Sequence, residues 1–178
     1  MKLIAITKPD FYDGEAAFIK RLFESGFDIV HLRKPNSDID NCRNILNELS
    51  SEERSRIVVH DYPELYYEFS LKGIHINKNI VKYPEGYQGF KTRSCHSLED
   101  VKLFKDDFDY VFLSPIFDSI SKQGYKSAFT QDELRRASEE GIIDEKVVAL
   151  GGVTYDKISL LKDLGFGGAA MMGGVFIS

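Results

Sequence analysis

Short apolar runs rich in Val, Ile and Phe recur along the whole chain, and their rhythm constrains the fold more than any other feature. The runs are Leu3–Thr7, Ile29–Leu32, Ile57–His60, Gly73–Ile76, Lys91–Ser94, Tyr110–Leu113, Val147–Leu150 and Gly168–Met172, eight in all. Each is followed by a polar turn, and usually by a stretch whose apolar residues return at helical spacing. Phe18, Leu22 and Phe23 share a face of Glu15–Ser25, Ile45, Leu46 and Leu49 a face of Ser37–Leu49, and Ile158, Leu161 and Leu164 a face of Tyr155–Leu164. Strands that are apolar on both sides belong to a parallel sheet covered by helices. Eight such units predict a compact α/β fold, a closed (β/α)8 TIM-type barrel, with an open doubly wound sheet as the alternative.

Local signals punctuate the same division. Gly26 and Gly165 stand where helices should end, and Ser37 and Thr154 where helices should begin. Asn77–Gly89 reads as a loop rather than a helix. The chain stops at Ser178, soon after the eighth strand, so the last helix is expected to be absent from this chain, either because the sequence is truncated there or because the barrel lacks that cover. With 178 residues against about 250 for a typical barrel of this kind, one domain spanning 1–178 is expected.

Charge and composition narrow the function classes. The balance of 23 basic and 28 acidic residues, net -5, excludes a broad basic footprint for nucleic acid. No apolar run approaches the roughly 18 residues of a membrane span, and Pro9 and Asp10 interrupt the N-terminal run too early for a signal peptide. A cytoplasmic protein is expected, a homo-oligomer being compatible with all of this. Cys42 and Cys95 have no CxxC spacing and read as buried thiols rather than as a zinc or disulfide framework.

In a parallel barrel the chemistry sits on the loops that leave the C-terminal strand ends. Those loops carry His31, Arg33 and Lys34; His60 and Asp61; Asn77, Lys78 and Asn79; Ser94 and His96; Ser114 through Lys122; and the pairs Gly151–Gly152 and Gly173–Gly174. Glycine pairs after the seventh and eighth strands let backbone N–H groups approach a phosphate, and a helix starting at Thr154 would add its dipole. The alternative is that the glycines simply permit tight turns. Arg33 and Lys122 are cations suited to a second anionic group such as pyrophosphate, or else solvated loop charges. Asp61 can hold Mg2+ or cap a helix starting near Tyr62 and Pro63. The four histidines, His31, His60, His75 and His96, do not predict a zinc centre, because side chains alternate along a strand and no i, i+4 pair exists. Cys95 beside His96 does not suggest a nucleophile and its base.

Taken in order, VHLRKPN (30–36), VVHDYPEL (58–65), GIHIN (73–77), SCHSLED (94–100), DYVFLSPIFDSISKQG (109–124), VALGGVT (148–154) and GFGGAAMMGGVF (165–176) resemble the thiamine phosphate synthases and their TenI-type thiazole tautomerase relatives. The resemblance spans the chain. It implies a (β/α)8 barrel that binds thiazole phosphate and, for a synthase, a pyrimidine methyl pyrophosphate with Mg2+. It implies that Arg33 helps hold pyrophosphate, with His31 in place of the motif's glutamine and Pro35 in place of its lysine, leaving Lys34 as the neighbouring cation. Asp61 matches a magnesium aspartate, with His60 in place of the preceding asparagine, whereas the second magnesium aspartate is replaced by Ile80. Ser119, Ser121 and Lys122 resemble the loop that contacts the phosphates, and Ser94 matches a serine near the pyrimidine. The set implied is Arg33, Lys122, His31 and Ser94 for catalysis, Lys34, His60, Ser119, Ser121, Gly151, Gly152, Gly173 and Gly174 for substrate phosphates, and Asp61 for Mg2+.

Two other readings stay open. The His-x-Arg of residues 31–33 and the Ser-x-His-Ser of residues 94–97 are similar to the tautomerase branch, in which His31 or His96 would act as base. Pro115 stands where that branch has its catalytic histidine. The replacements at Pro35 and Ile80 also fit a non-catalytic paralogue that binds thiazole phosphate.

Overall fold

The computed structural model describes residues 1–77, 80–118 and 127–172. Eight parallel strands follow one another around a closed barrel in sequence order. They are β1 (Lys2–Ile6), β2 (Ile29–Leu32), β3 (Ile57–Val59), β4 (Gly73–Ile76), β5 (Phe90–Cys95), β6 (Tyr110–Leu113), β7 (Val147–Leu150) and β8 (Gly168–Met171). The open sheet is thereby excluded. The connecting helices are α1 (Glu15–Glu24), α2 (Ile39–Glu48), α3 (Ser51–Arg54), α4 (Glu64–Phe69), α5 (Leu98–Phe104), α6 (Gln131–Glu139) and α7 (Ile158–Asp163). Among the described residues no helix lies between β4 and β5, as the sequence predicts. The expected absence of a closing helix concerns residues 173–178, which lie outside the described residues.

The backbone divides into two compact units, Ile4–Lys91 and Met1–Leu3 with Thr92–Ser178. In the first, Ile4, Val30, Ile57, Val58 and Ile74 are fully buried strand residues, and Ile19, Leu46 and Leu65 bring helix faces onto them. Burying a Val, Leu or Ile side chain contributes about 1.5–3 kcal/mol, so these strands hold the unit together through ordinary apolar burial. The loop between β4 and β5 is anchored by Tyr87, whose hydroxyl accepts from the Ile74 amide at 2.9 Å and donates to the Phe90 carbonyl at 2.6 Å. Gly73 is needed beside it, since a Cβ there would lie 2.2 Å from the Phe90 carbonyl oxygen. In the second unit Val111, Phe112, Val147 and Ala169 fill the strands, with Val101 and Leu161 from the helices.

Helix ends explain where the elements stop. Gly26 has φ +93°, its amide bonds to the Phe23 carbonyl, and Phe27 N–H bonds back to Leu22, closing α1 with two crossed bonds. Gly165, at φ +78°, closes α7 in the same way through Lys162 and Leu161. Two predicted starts are corrected. The cap of α2 is Asp38, whose carboxylate accepts from the Asp40 amide at 2.9 Å, while the neighbouring Ser37 hydroxyl lies 3.9 Å from the Cys42 sulfur. Thr154 opens a 3-10 turn, Tyr155–Lys157, without a side-chain cap bond, and α7 begins only at Ile158.

Candidate active site

The unit Ile4–Lys91 places side chains at the ends of β2, β3 and β4. In the parallel register His31 lies opposite Val58 and Val59 opposite Ile74. Residues opposite one another in parallel strands point to the same side, and so do residues two apart on one strand. His31, Val58 and His60 therefore share a face, and continuing the register from Val59 and Ile74 puts His75 beside His60. All three imidazoles are buried, with one ring nitrogen of each within 4.8 Å of the others. His31 Nδ1 lies 2.7 Å from His60 Nε2, and the His60 and His75 rings stack with centroids 4.1 Å apart. This convergence corrects the expectation drawn from strand alternation, because alternation fixes parity within a strand and only register fixes it between strands.

Burial dominates the electrostatics of the cluster. It holds His31 well below the usual histidine range, with His75 adding to the effect. His60 is lowered by burial first, then by His75, His31 and Arg33. Both rings are neutral at pH 7 and make weak bases.

Arg33 and Lys34 follow β2 and have opposite fates. Thr7 clamps the Arg33 backbone, its hydroxyl accepting from the Arg33 amide at 3.0 Å and lying 3.2 Å from the Arg33 carbonyl oxygen. The half-buried guanidinium has no hydrogen-bond or ion-pair partner among the described residues. Lys34 is fully committed: its ammonium donates to Glu15 Oε1 at 2.6 Å, Glu15 Oε2 at 2.7 Å, the Lys8 carbonyl at 2.9 Å and the Asp10 carbonyl at 3.0 Å. With the side chains 0% and 2% exposed, this ion pair stitches the loop after β1 to the end of β2. Lys34 is therefore not available to a substrate phosphate, contrary to the sequence expectation. Burial raises the Glu15 pKa, and Lys34 opposes that shift.

Asp61 is half-buried and accepts the Lys34 amide at 3.0 Å through Oδ2. It does not cap α4, which starts after Pro63 with no side-chain cap bond. Tyr62, at φ +57°, turns the chain between them. Asn77 braces the end of β3, its side-chain amide donating to the His60 carbonyl at 2.6 Å while its side-chain oxygen accepts from Ile80 at 3.1 Å. Ile80 offers no metal ligand from its side chain. Asp61 can thus present one carboxylate oxygen to Mg2+, which suits an ion that takes one or two protein carboxylates and completes its shell with phosphate oxygens and water.

The unit containing Thr92–Ser178 presents mostly backbone. Gly151 and Gly152 follow β7 at φ +94° and +61°. A Cβ on Gly152 would lie 2.2 Å from the Asp118 carbonyl oxygen, and one on Gly151 would lie 2.9 Å from Pro115 Cα. The Ile116 and Phe117 amides bond to the Leu150 and Gly151 carbonyls, each at 3.0 Å. The loop after β6 therefore fills the space that the absent side chains leave, which is the tight-turn alternative. Any helix dipole is weak here, because α7 is six residues long and preceded by a 3-10 turn. His96 is exposed, with Nδ1 3.2 Å from both the Ser114 carbonyl oxygen and hydroxyl. Cys95 is buried and its thiol is pushed up to about 11 by that burial, so it is inert at neutral pH. Ser94 is half-buried at the end of β5. Ser119, Ser121, Lys122, Gly173 and Gly174 lie outside the described residues, as do Lys78 and Asn79.

Sequence reasoning missed Thr7 and Glu15, whose partners are 26 and 19 residues away. A buried-looking Glu at the start of an amphipathic helix was the only available signal for Glu15.

A closed (β/α)8 barrel with a cation, a carboxylate and imidazoles at adjacent strand ends has the architecture of an enzyme whose chemistry lies on its strand-end loops. The particular family follows from comparison. Residues 3–175 match the family model described as thiamine monophosphate synthase, and the chain belongs to that family. It is 43% identical to a thiamine phosphate pyrophosphorylase from Bacteroides thetaiotaomicron of known structure, with a TM-score of 0.91 over 99% of this chain and 85% of that one. A thiamine-phosphate synthase of Limosilactobacillus reuteri is 30% identical over 129 residues, which cover 68% of this chain and 59% of that protein. A thiamine-phosphate synthase of Shouchella clausii is 26% identical over 176 residues, covering 92% of this chain and 83% of that protein. No helix among the described residues is long and apolar enough to cross a membrane.

Proposed function

We propose that this chain is a cytoplasmic transferase that joins a pyrimidine methyl pyrophosphate to a thiazole phosphate, giving thiamine phosphate and pyrophosphate. The observation that carries the reading is the 43% identity to a thiamine phosphate pyrophosphorylase along nearly the whole chain. The reaction breaks the bond between the pyrimidine methylene carbon and the pyrophosphate oxygen, the electron pair leaving with oxygen. The ring amino group delocalises the resulting methylene cation, and the lone pair of the thiazole nitrogen then forms the new C–N bond. No strong base is required, which suits the buried imidazoles of His31 and His60, both held neutral and weakly basic.

Arg33 is the candidate for stabilising the departing pyrophosphate, since its backbone is clamped by Thr7 and its guanidinium is uncommitted among the described residues. Asp61 is the candidate Mg2+ ligand through its remaining oxygen, the ion neutralising pyrophosphate charge when bound. By family resemblance Lys122, His31 and Ser94 are further candidates for catalysis, Ser94 near the pyrimidine, and His60, Ser119, Ser121, Gly151, Gly152, Gly173 and Gly174 for substrate phosphates. The tautomerase reading needs a base. His31 is fully buried and held low, and Pro115 replaces that branch's catalytic histidine.

Purified protein given both substrates, with and without Mg2+, tests this directly through thiochrome fluorescence of the oxidised product. Mg2+-dependent thiamine phosphate is expected. Turnover of the thiazole tautomer alone would replace the synthase reading with a tautomerase, and thiazole phosphate binding without any turnover would replace it with a binding paralogue.

A further inference from the structure

Three buried imidazoles at adjacent strand ends offer a ligand set different in kind from Asp61. His31, His60 and His75 come from β2, the end of β3 and β4, all within the unit Ile4–Lys91, with one nitrogen of each inside a 4.8 Å span. Imidazole nitrogen suits Zn2+ and its transition-metal neighbours, whereas Mg2+ takes oxygen. Three protein nitrogens leave a fourth position open, as in sites where a zinc ion keeps a water or small ligand.

We propose that His31, His60 and His75 form a three-imidazole site for a divalent transition metal, with Zn2+ as the test ion. Ligands 2.0–2.1 Å from a tetrahedral ion stand roughly 3.3 Å apart, so the 2.7 Å separation of His31 Nδ1 and His60 Nε2 opens by roughly 0.6 Å on binding. The ion replaces the proton these two nitrogens share. That proton moves to the other nitrogen of its own ring, so each imidazole stays neutral and offers one lone pair. The opening falls to side-chain torsions, since the His60 amide donates to the Leu32 carbonyl at 3.1 Å and its carbonyl accepts from the Asn77 side chain at 2.6 Å. The site does not depend on the synthase reading, since it requires only these three rings.

Chelator-treated full-length protein titrated with Zn2+ against a chromophoric chelator, in excess Mg2+, provides the test. One Zn2+ per chain is expected, undiminished by Mg2+. His60→Gln and His75→Gln should each weaken binding by more than about 10-fold, the lower end of what even an outer-shell change costs a metal site. His96→Gln, at the one histidine outside the cluster, should leave affinity unchanged. Should the cluster variants fail to fold, X-ray absorption at the zinc edge of the wild-type protein decides, with imidazole scattering expected at about 2.0–2.1 Å. Absence of stoichiometric Zn2+ retention, unchanged affinity in both folded cluster variants, or a first shell without imidazole would overturn the site.

Discussion

The ends of β2–β4 and the ends of β6–β7 solve different problems with different parts of the chain. At β2–β4 the sequence spends side chains: Thr7 on the Arg33 backbone, Glu15 on Lys34, Asn77 on the His60 carbonyl, and three imidazoles on one another. At β6–β7 it removes them, and two glycines let the loop after β6 close on the turn after β7 through backbone hydrogen bonds. The contrast teaches that a charged residue near a barrel mouth is not therefore a ligand for substrate. Arg33 and Lys34 are adjacent cations, yet one is uncommitted among the described residues and the other is consumed by a buried carboxylate.

The largest effect that would break this contrast is on Lys34. Lys34→Ala leaves Glu15 buried without its partner and should cost about 3–5 kcal/mol in denaturant unfolding. The double change Lys34→Met with Glu15→Leu should recover most of it. If Lys34→Ala instead left stability unchanged and abolished activity, Lys34 would rejoin the substrate ligands. Arg33→Ala should do the reverse, lowering kcat/KM by about 100-fold, the scale seen when one transition-state donor is lost, with an unchanged unfolding midpoint. Gly152→Ala sharpens the other side. A methyl group 2.2 Å from the Asp118 carbonyl oxygen, on a residue at φ +61°, should cost about 1–3 kcal/mol. A stable variant with weakened thiazole phosphate affinity would show instead that the glycine serves the anion alone.

The effect that builds most gradually is a pH slope. His31 and His60 are held neutral by burial, with His75 and Arg33 as the neighbouring ionisable groups. Their folded pKa values lie below the unfolded value near 6.5, so the unfolded state gains protons first as pH falls. Stability is complete above about 6.5 and declines towards the lower folded values, by about 1.4 kcal/mol per pH unit for each histidine. Unfolding curves from pH 7.5 to 5.0 would show it, and His60→Gln should remove one share of the slope.

The fold was legible because most of its strands are apolar on both faces, β5 with its Lys91, Arg93 and Ser94 being the exception. Ile29–Leu32, Gly73–Ile76, Tyr110–Leu113 and Val147–Leu150 agree with the structure residue for residue. Helix starts were less legible where two capping residues adjoin, and Asp38 displaced Ser37 because its carboxylate reaches the Asp40 amide. Motif position put Arg33 and Asp61 just after β2 and β3, where the structure has them, while their roles belong to the proposed function. The histidine cluster was not legible, since it depends on the register of Val58 with His31 and of Val59 with Ile74, which no single strand carries. Glu15 was hidden for a similar reason: it sits on α1, whereas its partner follows β2.

The central proposal is that Asp61, as the one matched magnesium aspartate, and Arg33 support synthase chemistry. A phosphorus NMR time course with both substrates and Mg2+ follows pyrophosphate release and thiamine phosphate formation together. One pyrophosphate per thiamine phosphate is expected in the wild-type protein, with both signals lost in Asp61→Ala while its fold is unchanged. Equal turnover by wild type and Asp61→Ala, or no pyrophosphate release by folded wild-type protein, would contradict it.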